Sequence, residues 1–318
     1  MRLADIGEDG LIDEIARLIG LGGLNYDNDV SYVALPDGTY LVIKIDGGSL
    51  ARTKASFMTY YDVGWRMAVG ALSDMAAKLA RPSAVVASFT LPGSLNHDYL
   101  MELVKGIRDA SASFKAQYIG GDLNEGQDEV VDIAAVGFSK VAIGRIPRVG
   151  DVLVTLPIFG YTGLVFKLYY LGTLDKYSSS QVVSRAIEYT RRPPAYSWVI
   201  DSLEGLANCI SASMDSSDGL GQVLATMGKY AKIELTQLPA AEGVQEFCRG
   251  INIDLDEVVL NGGEEYAPVF SIRPSCLRDF EALGFVKIAD VKEGRGVFWR
   301  GVEVAYRGWR YFNPIPYK

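Results

Sequence analysis

The feature that most restricts the fold is a helix carrying a charge in an awkward place. Val63, Met67, Ala71, Met75 and Leu79 recur at every fourth position, the mark of a long amphipathic helix packed on something. Gly70, Ala71, Ser73, Ala76 and Ala77 lie in the same stretch and are small enough to permit close approach. Ser73-Asp74 falls in the middle of it. A carboxylate among small and apolar residues must be solvated, paired or bound to a cation, and a cation is the favoured reading.

Strand and helix patterns alternate on both sides of this helix. Leu11 to Ile19 has helical spacing, and Tyr40-Leu41-Val42-Ile43-Lys44-Ile45 is a β-rich run ending at Asp46. Ala84 to Leu91 reads as a strand closed by Pro92-Gly93, Leu100 to Phe114 as a second core-facing helix, and Val130 to Val141 as a further strand. Strands are then expected near 152–156, 210–214 and 268–272, helices near 181–189 and 220–230, and a closing hairpin over 296–304. The fold class expected is α/β (α+β) with two domains. The Pro/Gly-punctuated stretch Gly144 to Asp151 is the expected boundary, dividing 1–143 from 144–318.

Charge and rare residues exclude several functions. A net charge of -8 without a Lys/Arg stripe argues against nucleic acid, and phosphorylated ligands would need metal ions to mask like charge. One histidine, His97 at a helix entrance, excludes a histidine-rich zinc site and argues against a Ser-His-Asp hydrolase. No apolar run approaches a membrane span, and Met1-Arg2-Leu3-Ala4-Asp5 lacks the order of a secretory signal, so the expected location is cytoplasmic. Cys209, Cys248 and Cys276 form no Cys-x-x-Cys pair and are expected as buried thiols in a reducing compartment.

The strongest local signal is Ser213-Met214-Asp215-Ser216-Ser217-Asp218-Gly219-Leu220, where a strand gives way to a helix. Ser217 or Asp218 is placed to cap that helix. Its free N–H groups beside two carboxylates suit phosphate oxygens and a cation; an ordinary cap with spare acids is the alternative. Gly120-Gly121-Asp122 combines backbone freedom with a hard oxygen ligand, and Asn261-Gly262-Gly263-Glu264-Glu265-Tyr266 repeats that logic. Asp29 and Asp46 adjoin strands and are either ligands or turn acids. The Gly-rich phosphate loops of common nucleotide folds are missing, so any ATP site is of another kind.

Taken in order, these motifs resemble the thiamine-monophosphate kinases, within the superfamily of aminoimidazole ribonucleotide synthetase. Gly7-Glu8-Asp9-Gly10-Leu11-Ile12, Ser73-Asp74-Met75-Ala76-Ala77, Gly120-Gly121-Asp122, Met214 to Leu220, Gly262-Gly263-Glu264 and Gly308-Trp309 carry the resemblance, which spans nearly the whole chain. It implies an N-terminal α/β domain that pairs with its twin in a homodimer, and a C-terminal α/β domain that completes the active site. It implies Asp29, Asp46, Asp74, Asp122, Asp215 and Asp218 as ligands of several Mg2+ ions. Gly121, Asp122, Arg145 and Ser217 would contact ATP, and Glu264 and Trp309 the acceptor. The implied reaction is direct transfer from ATP to thiamine monophosphate, giving thiamine diphosphate and ADP.

The chain departs from the family pattern on the acceptor side. Asp27-Asn28-Asp29 stands where Gly-Asp-Asp is usual, Lys44-Ile45 where two hydroxyl residues are common, and Thr53 where a substrate-contacting histidine is placed. Ile158-Phe159-Gly160-Tyr161 likewise replaces a Thr-Leu-Gly-Asp stretch. The alternatives are a related ATP-dependent enzyme with another acceptor, or a non-catalytic nucleotide-binding homologue.

Overall fold

The computed structural model describes residues 2–304. The β-rich runs assemble into two sheets. The first holds β1 (Ser31–Ala34), β2 (Tyr40–Ser49), β3 (Arg81–Leu91), β4 (Gln117–Glu125) and β5 (Val130–Ser139), in the order β1-β2-β5-β3-β4. Only β3 and β4 run parallel. Alternation along β2 and β5 sends Val42, Val131, Ile133 and Ala135 to one buried face.

Two helices cover that face: α1 (Tyr60–Ala77), which is the helix read from the sequence, and α2 (His97–Ser113). Thr59 and Asp62 close a reciprocal cap at the start of α1, and the Asn96 side chain caps α2. The close approach of the two helices is carried by glycines other than the small residues singled out in the sequence. A Cβ on Gly64 would meet the Leu103 carbonyl at 2.1 Å, and one on Gly106 would meet that of Tyr61 at 2.1 Å. The opposite face of the sheet is open, with Val33, Ile43, Ile45, Val86 and Phe138 exposed.

The second sheet comprises β6 (Val152–Thr155), β7 (Ile210–Met214), β8 (Lys232–Leu235), β9 (Val269–Ile272), β10 (Val286–Lys292), β11 (Gly296–Trp299) and β12 (Val302–Glu303). Their order is β12-β11-β8-β10-β6-β9-β7, and only the β8–β11 pair is parallel. The helices α3 (Tyr161–Tyr170) and α4 (Gln181–Arg191) pack on each other in a separate hydrophobic cluster, while α5 (Leu220–Gly228) packs on the sheet. The helix before Pro193-Pro194 stops at Arg191, as the prolines require. Leu79 and Ile143 belong to the core of the second sheet, while Ile200 and Tyr266 belong to the core of the first, so the halves share packing.

The expectation of three free thiols fails. Cys209 and Cys276 are joined in a disulfide across 67 residues of sequence, because β7 and β9 are neighbours and bring their flanks together; Cys248 alone is a buried free thiol. The Gly-Gly-Asp stretch is part of strand β4, which runs on through Gly120 and Gly121 to Glu125. Among the described residues, no helix is long and apolar enough to cross a membrane.

Candidate active site

Three segments distant in sequence deliver carboxylates to one place. Asp29 lies just ahead of β1, Asp74 in the last turn of α1, and Asp215 directly after β7. All three are buried, and each offers an oxygen within 4.8 Å of the others. The Ser73 hydroxyl donates to Asp215 Oδ2 at 2.7 Å, tying α1 to β7.

Cations from the chain already line this group. Lys78, fully buried, pairs with Asp29 Oδ2 at 2.8 Å and donates to the carbonyls of Ser213 and Gly144. Arg145 grips Asp29 and also reaches Asp27 Oδ1 at 2.9 Å. Lys44 points from β2 to Asp74 Oδ2 at 2.5 Å, with Asp46 Oδ2 at 3.9 Å. Asn28 donates to the carbonyls of Leu24 and Ile143 and so anchors the loop carrying Asp27 and Asp29.

The electrostatics follow from burial and crowding. Burial works against the Asp29 charge, but Lys78 and Arg145 outweigh it and hold that carboxyl well below its ordinary range. Asp74 is pushed well above it by burial and by Asp215, with Lys44 opposing. Burial and Asp29 likewise raise Asp215. Asp218 sits at the solvent-open mouth of the group, where surrounding protein mass and then Asp215 push it up to about 7. Buried hard oxygens whose negative charges raise one another's pKa suit a hard cation such as Mg2+.

The Asp215 loop and the glycine-rich segment before Glu264 are built against each other. The Glu264 N–H donates to the Ser217 carbonyl at 2.7 Å, and the Ala267 N–H to Ser216 Oγ at 2.9 Å. A Cβ on Gly219 would lie 2.6 Å from the Gly262 carbonyl, and Gly219 has φ +93°, so a residue without a side chain is needed. Gly219 itself holds the cap position of α5 and no side chain caps that helix, contrary to the expectation for Ser217 or Asp218. Ser217 instead leans towards Asp215, with Oγ 3.4 Å from Oδ1. Glu264 is held by an ion pair with the buried Arg66, which also donates to the Thr190 carbonyl.

The remaining predicted residues lie apart from the three carboxylates to different degrees. Asp46 is within β2 rather than at its end and faces α1, its Oδ2 being 3.6 Å from where a Cβ of Gly70 would stand. Asp122 is exposed on the edge strand β4, where it accepts from the Asn124 amide at 2.8 Å. Its register beside Ser88, and through Ser88 beside Asp132, puts it on the open face of the sheet, away from the cluster. Gly121 is required by packing, because a Cβ there would fall 1.7 Å from the Ala87 carbonyl. Trp309 lies outside the described residues.

Sequence reasoning missed Lys78 and Arg66. The signal was the one that singled out Asp74: Lys78 directly follows Ala76-Ala77, and Arg66 stands among Val63, Gly64 and Met67. A charge in such company needs a buried partner.

The sequence model for AIR synthase related protein, N-terminal domain, matches residues 27–139. A thiamine-monophosphate kinase of Pyrobaculum calidifontis is 42% identical over 297 residues, covering 93% of this chain and 93% of that protein. A thiamine-monophosphate kinase of Nitrosopumilus maritimus is 28% identical over 264 residues, covering 77% of this chain and 80% of its own. The solved structure of AaThiL complexed with AMPPCP and TMP superposes with a TM-score of 0.86, at 24% identity, over 98% of this chain and 99% of that one. That likeness establishes the two-domain fold. Identity of 42% sustained over nearly the full length of both proteins shows that this chain belongs to the thiamine-monophosphate kinase family.

Proposed function

We propose that this protein transfers the γ-phosphoryl group of ATP to thiamine monophosphate, forming thiamine diphosphate and ADP. The observation that carries the reading is the buried group Asp29, Asp74 and Asp215, with oxygens within 4.8 Å of one another. These three would hold Mg2+, with Asp46 and Asp218 adjoining. When bound, Mg2+ would offset phosphate charge and act as a Lewis acid towards phosphoryl oxygens.

The chain's own residues position the reactants. Arg145 and Ser217 flank the carboxylates and are the proposed nucleotide contacts. Glu264, fixed by Arg66, is the proposed acceptor contact, together with Trp309. An oxygen of the acceptor phosphate bonds to the γ-phosphorus while the bond to the β–γ bridging oxygen breaks, and ADP leaves with that electron pair. With a second pKa of about 6, the acceptor is already largely dianionic near neutral pH, so no general base is needed. Phosphoryl transfer of this kind rests on positioning and charge stabilisation.

A homodimer belongs to the same reading, supported by the apolar open face of the first sheet. Gly121 and Asp122 lie on the edge strand of that sheet, so their proposed nucleotide contacts belong to the assembled dimer. The division into 1–143 and 144–318 is supported by the change of sheet between Ser139 and Val152. A cytoplasmic location belongs to the same reading and is supported by the use of ATP; disulfides persist in some intracellular proteins, so the Cys209–Cys276 bond does not oppose it. The test is chromatographic: purified protein with ATP, Mg2+ and thiamine monophosphate yields thiamine diphosphate. ADP release with other acceptors alone would replace this acceptor by another.

A further inference from the structure

Among the described residues, Lys44 is the one cation that pairs with Asp74. Its ammonium lies 2.5 Å from Asp74 Oδ2 and 3.9 Å from Asp46 Oδ2, and its side chain is only 18% exposed. It points inward because strand alternation sends Ile43 and Ile45 to the open face and Lys44 to the side of α1. On the other flank, Lys78 and Arg145 already compensate Asp29 and Asp27.

We propose that the Lys44 ammonium takes the place of one divalent cation beside Asp74, so that this protein loads one metal ion fewer than its carboxylates would otherwise accept. Lys44 is a positioning residue: it acts through Asp74 and Asp46, holding their carboxylates without occupying an open coordination position. A tethered ammonium offers a phosphate oxygen only a hydrogen bond, whereas a metal ion offers it a coordination position. Metal coordination of the substrate phosphates therefore falls to the Asp215 side of the group. The inference rests on the metal reading given under the proposed function.

The experiment counts Mn2+ by electron paramagnetic resonance, with the full-length protein saturated with AMPPCP. Lys44→Thr and Lys44→Met remove the charge; Lys44→Arg keeps it. Circular dichroism selects the folded variants, and the two neutral side chains give independent chances of folding. The expected result is one additional Mn2+ per protomer in the neutral variants, bound at least about tenfold tighter than any corresponding ion in the parent protein, because repulsion by a nearby unit charge is removed. Lys44→Arg keeps the parent count. An unchanged or lower count in the neutral variants overturns the proposal while leaving the metal reading intact. If the parent protein with AMPPCP takes up no Mn2+, both fall.

Discussion

Replacing Lys78 by methionine tests how much stability comes from the buried ion pair within the first half and from the hydrogen bonds that the same ammonium sends to the second half of the molecule. The ammonium is fully buried, pairs with Asp29 at 2.8 Å and donates to the carbonyls of Ser213 and Gly144. Removing one partner of a buried pair costs about 3–5 kcal/mol, because the other charge is left uncompensated. Asp29 keeps Arg145, which places the loss at the lower end of that range. The Gly144 carbonyl keeps the Ser213 N–H, but the Ser213 carbonyl loses the Lys78 donor, adding about 1 kcal/mol. The expected destabilisation is about 3–4 kcal/mol in guanidinium denaturation. Adding Asp29→Asn removes the stranded charge, so the double variant should lie about 1–3 kcal/mol above the sum of the single losses. A Lys78→Met protein within about 1 kcal/mol of the parent, or strict additivity in the cycle, refutes the reasoning.

Glu265 is fully buried, and burial pushes its carboxyl up to about 8 against hydrogen bonds from Thr162 and the Gly160 N–H. The folded state then binds a proton that the unfolded state has released, so this contribution to stability is full below about pH 4.5 and is lost as pH rises towards about 8, at up to about 1.4 kcal/mol per unit. Glu265→Gln should flatten that slope in denaturation series between these limits; an unchanged slope would assign it to other groups. Reducing the Cys209–Cys276 disulfide opens a loop of 67 residues and should cost about 4 kcal/mol by chain entropy, seen as a fall in Tm with a phosphine reductant. No change in Tm would show that the bond adds nothing to stability. Ile45, 69% exposed on the open sheet face, should be essential to the dimer; Ile45→Asp is expected to sediment as a monomer, and an intact dimer would move the interface elsewhere.

Much of the fold was legible because its signals are local and periodic. The four-residue spacing from Val63 gave α1, and Asp74 stood out against its neighbours. The run from Ile210 to Met214 gave β7 with its bounds intact. What was lost depends on contacts between distant segments. Gly120-Gly121-Asp122 signalled backbone freedom and a hard ligand but not a strand, yet β4 continues through it, with a register shift against Val85 and Val86 and with Gly121 packed on Ala87. The cysteines showed no spacing motif, since the β7–β9 pairing alone brings Cys209 to Cys276. Lys44 read as the loss of hydroxyl ligands; the fold shows that its ammonium has moved into the carboxylate group. The order of the acidic motifs pointed to the family, but only the fold separates Asp29, Asp74 and Asp215 from the outlying Asp122.

Transfer of label from [γ-32P]ATP in a single turnover tests the central claim most directly. With Mg2+ and thiamine monophosphate, the parent protein should place the label in thiamine diphosphate. EDTA and Asp215→Asn should each abolish that transfer. Label that fails to reach thiamine diphosphate, while AMPPCP still gives a Mg2+-dependent thermal shift, about 2.7 kcal/mol at a hundredfold excess over Kd, would contradict it.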